Sequence, residues 1–228
     1  MTDSALRELA DDPSSRKRFF KMLGGAGAVS AATVLLAACG DDDEAASDSP
    51  PPATAVDDND SDLEILNYAL TLEFLEAEFY DKVIASGLVK DKTVADLARK
   101  FGESEQEHVD ALTATIKKLG GKPVQAPRTK FEETLDKGLE EVLNTAATVE
   151  NLGAAAYLGQ AGAIKNMEVL AAALAIHSVE ARHAAALNRL VGRGFTGEGD
   201  LSGSIPNGAF AKPMDMAAVN KAVQPFLA

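Results

Sequence analysis

Cysteine is almost absent from this sequence. Cys39 is the only one in 228 residues, so an internal disulfide is excluded. No segment alternates polar and apolar residues convincingly with a period of two, and we therefore expect no β-sheet. A basic patch with interleaved aromatic residues is also missing, which argues against nucleic acid as a partner. Hydrophobic residues make up 46% of the chain, enough to bury one sizeable core, so we expect a single folded domain.

Negative charge is concentrated in one stretch. The chain has a net charge of −13, and residues 40–62 contain nine acidic residues, three consecutive prolines from Pro50 and no Lys or Arg. Such a segment repels itself and cannot bury apolar surface, which predicts a disordered acidic tether over residues 39–61. Because the tether holds so much of the charge, the acidity of the chain does not point to a cationic partner.

Residues 1–38 have the order of an export signal peptide. Arg16, Lys17 and Arg18 form a basic stretch, and an apolar Gly/Ala-rich run over residues 22–38 follows. This run is short for a membrane span, which needs about 20 apolar residues, and basic-then-apolar order is typical of a signal peptide. Residues 15–21 resemble a twin-arginine export motif in which Lys17 replaces the second arginine, so the general secretory route stays open.

The signal peptide ends in Leu36, Ala37, Ala38 and Cys39, which resembles a lipobox. In a lipobox the cysteine is lipidated and becomes the new N-terminus after cleavage. We therefore expect an exported protein of the cell envelope or periplasm, anchored to a membrane through lipid on Cys39. The alternative is an incidental cysteine in a signal peptide that is cleaved nearby. The type of envelope stays open.

The domain at residues 62–192 is predicted to be an all-α four-helix bundle. The four predicted helices cover residues 62–86, 92–119, 136–163 and 166–191. Asp62 and Asn166 are candidate N-caps, and residues 129–132 have the pattern of a capping box. Short connections make the helices of each hairpin antiparallel, whereas residues 120–135 are long enough to serve as a crossover between helices two and three.

Two Glu-x-x-His pairs carry the candidate chemistry. Glu105 with His108 and Glu180 with His183 are each three residues apart, so both members of a pair project from one helix face. Either pair alone could be an ordinary polar pair on a helix surface. Its recurrence, together with an earlier glutamate among apolar neighbours in each half, indicates two chelating units.

An internal repeat relates the two halves of the bundle. Residues 72–80 align with residues 149–157, which places Glu73 over Glu150 and Tyr80 over Tyr157. The separation from the first glutamate to the Glu-x-x-His pair is 32 residues in one half and 30 in the other. Such agreement is typical of a duplicated helical hairpin.

The four glutamates fall at one level of the bundle, on helix faces with apolar neighbours. Four carboxylates in such a place could ionise only at a large cost, and some would have to take up protons. Two divalent cations would balance four carboxylates and leave the two imidazoles as neutral donors. Carboxylate oxygen with imidazole nitrogen suits iron or manganese.

With these motifs the chain resembles the ferritin-like superfamily, and most closely the exported bacterial ferritin-like domain proteins related to desiccation-associated proteins. The resemblance covers residues 62–192 and extends to a tail, residues 193–228, where it implies a loop and a short helix near residues 213–226 that packs on the bundle. It implies two divalent metal ions, iron first and manganese as the alternative. The ligands that it implies are Glu73, Glu105, His108, Glu150, Glu180 and His183.

For the other polar residues near these motifs, the sequence gives weaker support for a role in the metal site. Tyr80 and Tyr157 resemble tyrosines near the metals of relatives, although ordinary core packing explains them as well. His177 lies one turn before Glu180, but its counterpart in the repeat is Gly102, so a role outside the ligand set is favoured. The remaining acids are expected to be solvated helix charges, and these are Glu76, Glu78, Glu103, Glu107 and Asp110.

Glu76 is the hardest of these acids to assign, because it lies one turn from Glu73 and also has apolar neighbours. The repeat places it opposite Gly153, which has no side chain to donate. We therefore expect Glu73, not Glu76, to bind metal, and Glu76→Gln to change little.

The resemblance leaves the function open between two classes. The first is redox chemistry at a binuclear centre with oxygen or peroxide, either iron oxidation or a manganese catalase-like reaction. The second is a structural or stress-protective surface protein whose metal site is silent or only holds the bundle together. The sequence identifies no catalytic residue, substrate or oligomeric state.

Overall fold

Four long helices form two hairpins in the computed structural model, which describes residues 58–193 and 210–228. Helix α1 is Asp58–Ser86 and packs against α2, Lys92–Lys118, while α4, Leu139–Ala161, packs against α5, Met167–Leu190. The short elements are α3, Glu132–Asp136, α6, Met216–Val223, and the 3-10 helix Gln224–Phe226. Every regular element in the described ranges is helical, so the all-α prediction is confirmed.

Several sequence predictions concern residues outside the described ranges. The signal peptide, Cys39, most of the acidic tether and most of the loop after residue 193 belong to this group. None of the helices in residues 58–193 and 210–228 combines the length and the apolar character that crossing a membrane requires.

The turn in each hairpin has a clear chemical origin. Asp91 caps α2 by accepting a hydrogen bond from the Val94 backbone N–H at 3.0 Å. Asn166 caps α5 in the same way, through its contacts with the N–H groups of Glu168 and Val169. Each cap satisfies backbone donors that a helix start leaves without a partner. The predicted cap at Asn166 is therefore confirmed.

The predicted cap at Asp62 is wrong, because α1 begins at Asp58 and Asp62 lies inside the helix. Its side chain is 1% exposed and faces the start of α5. The two carboxylate oxygens accept hydrogen bonds from the backbone N–H groups of Lys165 and Asn166, at 2.8 and 2.7 Å. Asp62 thus satisfies donors at the turn before another helix, where negative charge is favoured by the helix dipole.

The predicted capping box at residues 129–132 is also wrong. Phe131 takes the N-cap position of α3 and makes no side-chain cap, while the Thr129 hydroxyl donates a hydrogen bond to Glu78 on α1 at 2.7 Å. The next long helix starts at Leu139 and not at residue 136. Gly138, with φ of 94°, interrupts the helix there in a conformation that other residues rarely adopt.

The connection from α2 to α3 runs along α1. Its residue Val124 donates a backbone hydrogen bond to the Asn67 side chain at 2.8 Å, and its residue Thr129 contacts Glu78. Asn67 and Glu78 lie about three helical turns apart on α1. The crossover between the hairpins stays a prediction.

The C-terminal segment packs against α4 and the connection. Met214 donates a backbone hydrogen bond to Ala155 on α4 at 3.1 Å, and a Cβ added at Gly159 would lie only 1.9 Å from the Met214 carbonyl oxygen. Further along, the Lys130 N–H donates to the Phe226 carbonyl, and the Phe226 ring stacks on Phe131. A short helix, α6, lies in this tail as expected.

Two apolar clusters fill the interior of the bundle. On α2, the first cluster contains Ala98 and Phe101, and the second cluster begins at Val109. On α5, the first cluster contains Leu187, and the second cluster ends at Ile176. The Glu-x-x-His pairs fall between these positions on both helices. The fold therefore places the two Glu-x-x-His pairs at one level, between two apolar layers.

Candidate metal centre

The six residues in the predicted ligand set come together inside the bundle, one glutamate from α1 and one from α4, with a Glu-x-x-His pair from each of α2 and α5. The four glutamates are fully buried, and the two histidines are less than 10% exposed. Their ligand atoms form two groups, within each of which all atoms lie within 4.8 Å of one another. The first group is Glu73, Glu105, His108 and Glu180, and the second is Glu105, Glu150, Glu180 and His183.

The first group is centred on the His108 imidazole. Its Nδ1 atom lies 2.9 Å from Glu105 Oε2, 3.1 Å from Glu73 Oε2 and 3.3 Å from Glu180 Oε1. A ring nitrogen carries at most one hydrogen, so it cannot make a good hydrogen bond to three carboxylates at once. The arrangement is one that a cation between these four atoms would satisfy better than a proton.

The second group has the same plan around His183. Its Nδ1 atom lies 2.9 Å from Glu105 Oε1 and 3.2 Å from Glu150 Oε2. The imidazole ring stacks on Phe101 with the ring centres 3.8 Å apart, which holds its orientation. Since Glu105 and Glu180 belong to both groups, the two groups adjoin and share two carboxylates.

Two tyrosines tie the halves together. Tyr80 donates a hydrogen bond to Glu150 Oε1, and Tyr157 donates one to Glu73 Oε1, each at 2.5 Å. Each tyrosine therefore holds the glutamate of the opposite half and leaves that glutamate's other oxygen facing a histidine. The predicted proximity of both tyrosines to the cluster is seen in the structure, and neither is only a packing residue.

Burial and mutual repulsion of the carboxylates dominate the electrostatics of the cluster. Burial, opposed by His108, raises the pKa of Glu73 to about 7, and burial together with the neighbouring carboxylates raises the pKa of Glu180 well above its usual range. The pKa of Glu150 is raised for the same reasons. Burial also acts to raise the pKa of Glu105, but hydrogen bonds from both imidazoles outweigh it and hold that pKa at about 2.

The imidazoles respond in the opposite sense. Burial acts to lower the pKa of His183, but its hydrogen bonds to Glu105 and Glu150 raise it to about 9. The pKa of His108 is raised further, since Glu73, Glu105 and Glu180 overcome the effect of burial. Without metal, positive charge at this centre has to come from protons on these two rings.

The donor set fits metal ions on a further observation. Among the buried side chains in the described ranges, Glu105 Oε1 and both oxygens of Glu180 accept no hydrogen bond of good geometry, although His183 Nδ1 lies 2.9 Å from Glu105 Oε1 and His108 Nδ1 lies 3.3 Å from Glu180 Oε1. These are the two carboxylates that both groups share. A buried carboxylate without a hydrogen-bond donor is costly, and coordination to a cation removes that cost.

Glu76 was interpreted as a solvated helix charge, and the structure shows that this was wrong. The residue is 3% exposed, and its Oε2 atom accepts no hydrogen bond from the described residues. Its carboxylate lies against Gly153, the residue opposite it in the repeat. The sequence signal for this was the glycine at the position that corresponds to Glu76. Gly153 gives the second half no carboxylate there, and its lack of a side chain leaves space for the Glu76 carboxylate of the first half.

The other candidates lie away from the ligand atoms. His177 Nδ1 is 3.0 Å from the Ala154 carbonyl oxygen, which gives the imidazole a backbone partner on α4. Glu78 is half-buried and contacts Thr129 and Lys82. The remaining acids, Glu103, Glu107 and Asp110, are exposed, in agreement with the sequence interpretation.

These observations define a class of protein: an all-helical bundle whose two hairpins enclose a cluster of glutamates and histidines that could hold metal ions. The ferritin-like domain family model matches residues 61–193. The match covers more than half of the chain and both hairpins, and the chain belongs to this family.

No curated protein matches the chain. Among solved structures, the chain is similar to a hypothetical protein from Methanococcus jannaschii DSM 2661. The two share 16% sequence identity with a TM-score of 0.45, and the similarity covers 78% of this chain and 97% of the other.

Proposed function

We propose that this protein binds two metal ions and uses them for redox chemistry with oxygen or peroxide, with iron oxidation as the leading reaction. The observation that carries the proposal is the pair of overlapping four-residue groups that share Glu105 and Glu180. Glu73 with His108 would complete the site of one ion, and Glu150 with His183 the site of the other. Four carboxylates balance the charge of two divalent ions, and the mixture of oxygen and nitrogen donors suits iron, with manganese as the alternative.

The residues of the chain have separate tasks in this proposal. The bound ions would supply the change of oxidation state that oxygen or peroxide requires. Tyr80 and Tyr157 each fix one oxygen of a glutamate that serves a single ion, so that its other oxygen stays directed at the centre. The apolar layers on both sides keep bulk water away, which strengthens the attraction between carboxylates and cations.

One observation favours a second candidate function, in which metal only holds the bundle together. All four ligand glutamates have 0% exposed surface, as expected for a site that is closed to solvent. A metal ion enclosed in this way would link the two hairpins without reacting. Such a protein would be structural or stress-protective.

Metal analysis of the purified protein, followed by oxygen-consumption and peroxide-decomposition assays, tests these alternatives. Two ions per chain with iron-dependent oxygen consumption would support the leading function. Peroxide breakdown by the manganese form would identify the catalase-like reaction, and two ions without turnover would support the structural role. Protein that contains no metal and melts at the same temperature after metal addition would contradict all three.

We also propose that the protein is exported and anchored through lipid on Cys39, on the basis of residues 36–39. The wild-type protein should then partition with membranes. Cys39→Ser should appear in the soluble fraction or remain as the unprocessed precursor. Normal processing of Cys39→Ser with unchanged membrane association would contradict the lipid anchor.

A further inference from the structure

Glu76 is a buried acid that the six-residue ligand set does not use. It lies one helical turn from Glu73 and has almost no exposed surface. Its Oε2 atom accepts no hydrogen bond within the described part of the chain. A carboxylate in this state is stable only if it takes up a proton or if a cation comes close to it.

The place where Glu76 meets the centre is defined by Gly153 on α4. A Cβ atom at this position would lie 3.0 Å from Glu76 Oε1 and 2.8 Å from Glu180 Oε2. Both carboxylates therefore reach the same point, which is open only because α4 has a glycine there. Any larger residue would displace Glu76, Glu180 or both.

Glu76 has no acidic counterpart in the other half of the repeat. Glu73 corresponds to Glu150 and Tyr80 to Tyr157, but Glu76 corresponds to Gly153. The centre is thus nearly two-fold symmetric in its six ligands and has an extra acid on one side only.

We propose that Glu76 is a fifth carboxylate ligand of the centre, placed beside the shared Glu180, and that it makes the two metal positions unequal. This inference rests on the proposed binuclear centre. Glu76 lies outside both four-residue groups, so coordination requires its side chain to rotate toward the ion. The position with the extra oxygen ligand carries more negative charge, and it binds a divalent ion more tightly than the other position.

Titration of the metal-free full chain with Co²⁺ tests this inference, with calorimetry for affinity and visible absorption for coordination. The wild type should bind two ions with unequal affinities. Glu76→Gln keeps the size of the side chain, and it should weaken the tighter site by about tenfold or more and change its absorption spectrum. Gly153→Ala should also weaken metal binding, because the added methyl group displaces Glu76, Glu180 or both. Glu64→Gln, which removes an exposed acid from the same helix, is the control and should leave both affinities unchanged.

Melting of the metal-free proteins separates a ligand from a structural residue. Glu76→Gln removes a buried acid whose Oε2 atom has no hydrogen-bond donor, so its metal-free form should melt no lower than the wild type. A lower melting temperature would assign Glu76 a structural role and overturn the inference. Two ions bound by Glu76→Gln with wild-type affinities and spectrum would also overturn it and leave the proposed function intact. A wild type that binds no Co²⁺ would instead remove the binuclear centre itself.

Discussion

Tyr80 donates a hydrogen bond to Glu150 although 70 positions separate them in the sequence. The repeat supplies the reciprocal contact, in which Tyr157 donates to Glu73. Each half of the bundle therefore orients a glutamate of the other half. In metal sites, such partners of a ligand fix its geometry and tune how strongly it binds.

Tyr80→Phe should bind two metal ions with about tenfold weaker affinity at one of them, because Glu150 loses the donor that fixes its second oxygen. Competition with a coloured chelator measures this change. Tyr68→Phe is a matched control, since the Tyr68 hydroxyl is buried and makes no hydrogen bond to the described residues. Equal affinities for Tyr80→Phe and the wild type would show that the hydroxyl does not support the ligand.

Substitution of a carboxylate that both groups share should reduce the number of bound metal ions more than substitution of a carboxylate that belongs to one group. Glu180 belongs to both groups and Glu73 to only one, so Glu180→Gln should lose both ions and Glu73→Gln one. Elemental analysis of the purified variants gives the stoichiometry directly. The shared arrangement would be contradicted if Glu180→Gln kept one ion at full occupancy.

The metal-free protein should lose stability as the pH rises from about 5 to about 9. Burial raises the pKa of Glu73 to about 7, and contacts with Glu105 and Glu150 raise that of His183 to about 9. In this window the folded state holds protons that the unfolded chain has released, so a rise in pH favours unfolding. Thermal melting at several pH values should show this decline, and the metal-loaded protein should show a weaker dependence above pH 7. A metal-free protein that becomes more stable toward pH 9 would refute the assignment.

The contact between the C-terminal segment and α4 should be sensitive to the size of residue 159. An added methyl group at Gly159 would overlap the Met214 carbonyl oxygen, so Gly159→Ala should lower the free energy of unfolding by about 1–3 kcal/mol. Gly162 has no heavy atom within 4 Å of an added Cβ, and Gly162→Ala should change stability by less than about 0.5 kcal/mol. Urea denaturation compares the two variants. Equal stabilities would mean that the segment does not pack closely on α4 in solution.

Much of the fold follows from local signals in the sequence. Asn166 precedes an apolar periodic segment and caps α5 as expected, and the recurrence of Glu-x-x-His predicts both pairs of the cluster. Asp62 and Thr129 misled the prediction, because their oxygens and hydroxyl bond to distant parts of the chain. A cap and a long-range contact look alike in sequence when the partner is more than 50 residues away.

Glu76 could not be placed from the sequence for a different reason. In the sequence, Gly153 indicates only that the second half of the repeat lacks a donor at the position of Glu76. In three dimensions that absence is space, and the Glu76 carboxylate occupies it. Periodicity assigns a residue to a helix face, but it does not tell whether the facing helix leaves room.

The division of the ligands between the hairpins determines when a metal ion can be captured during synthesis. The first hairpin contributes Glu73, Glu105 and His108 to the first group, and the fourth member, Glu180, comes from α5. The second group has three residues of the second hairpin and takes Glu105 from the first. A nascent chain that ends before α5 is therefore unable to complete either position, however well its first hairpin has folded. In the proposed centre, metal capture would come late, after the last long helix has docked, and each bound ion would then join parts of the chain that were made far apart in time.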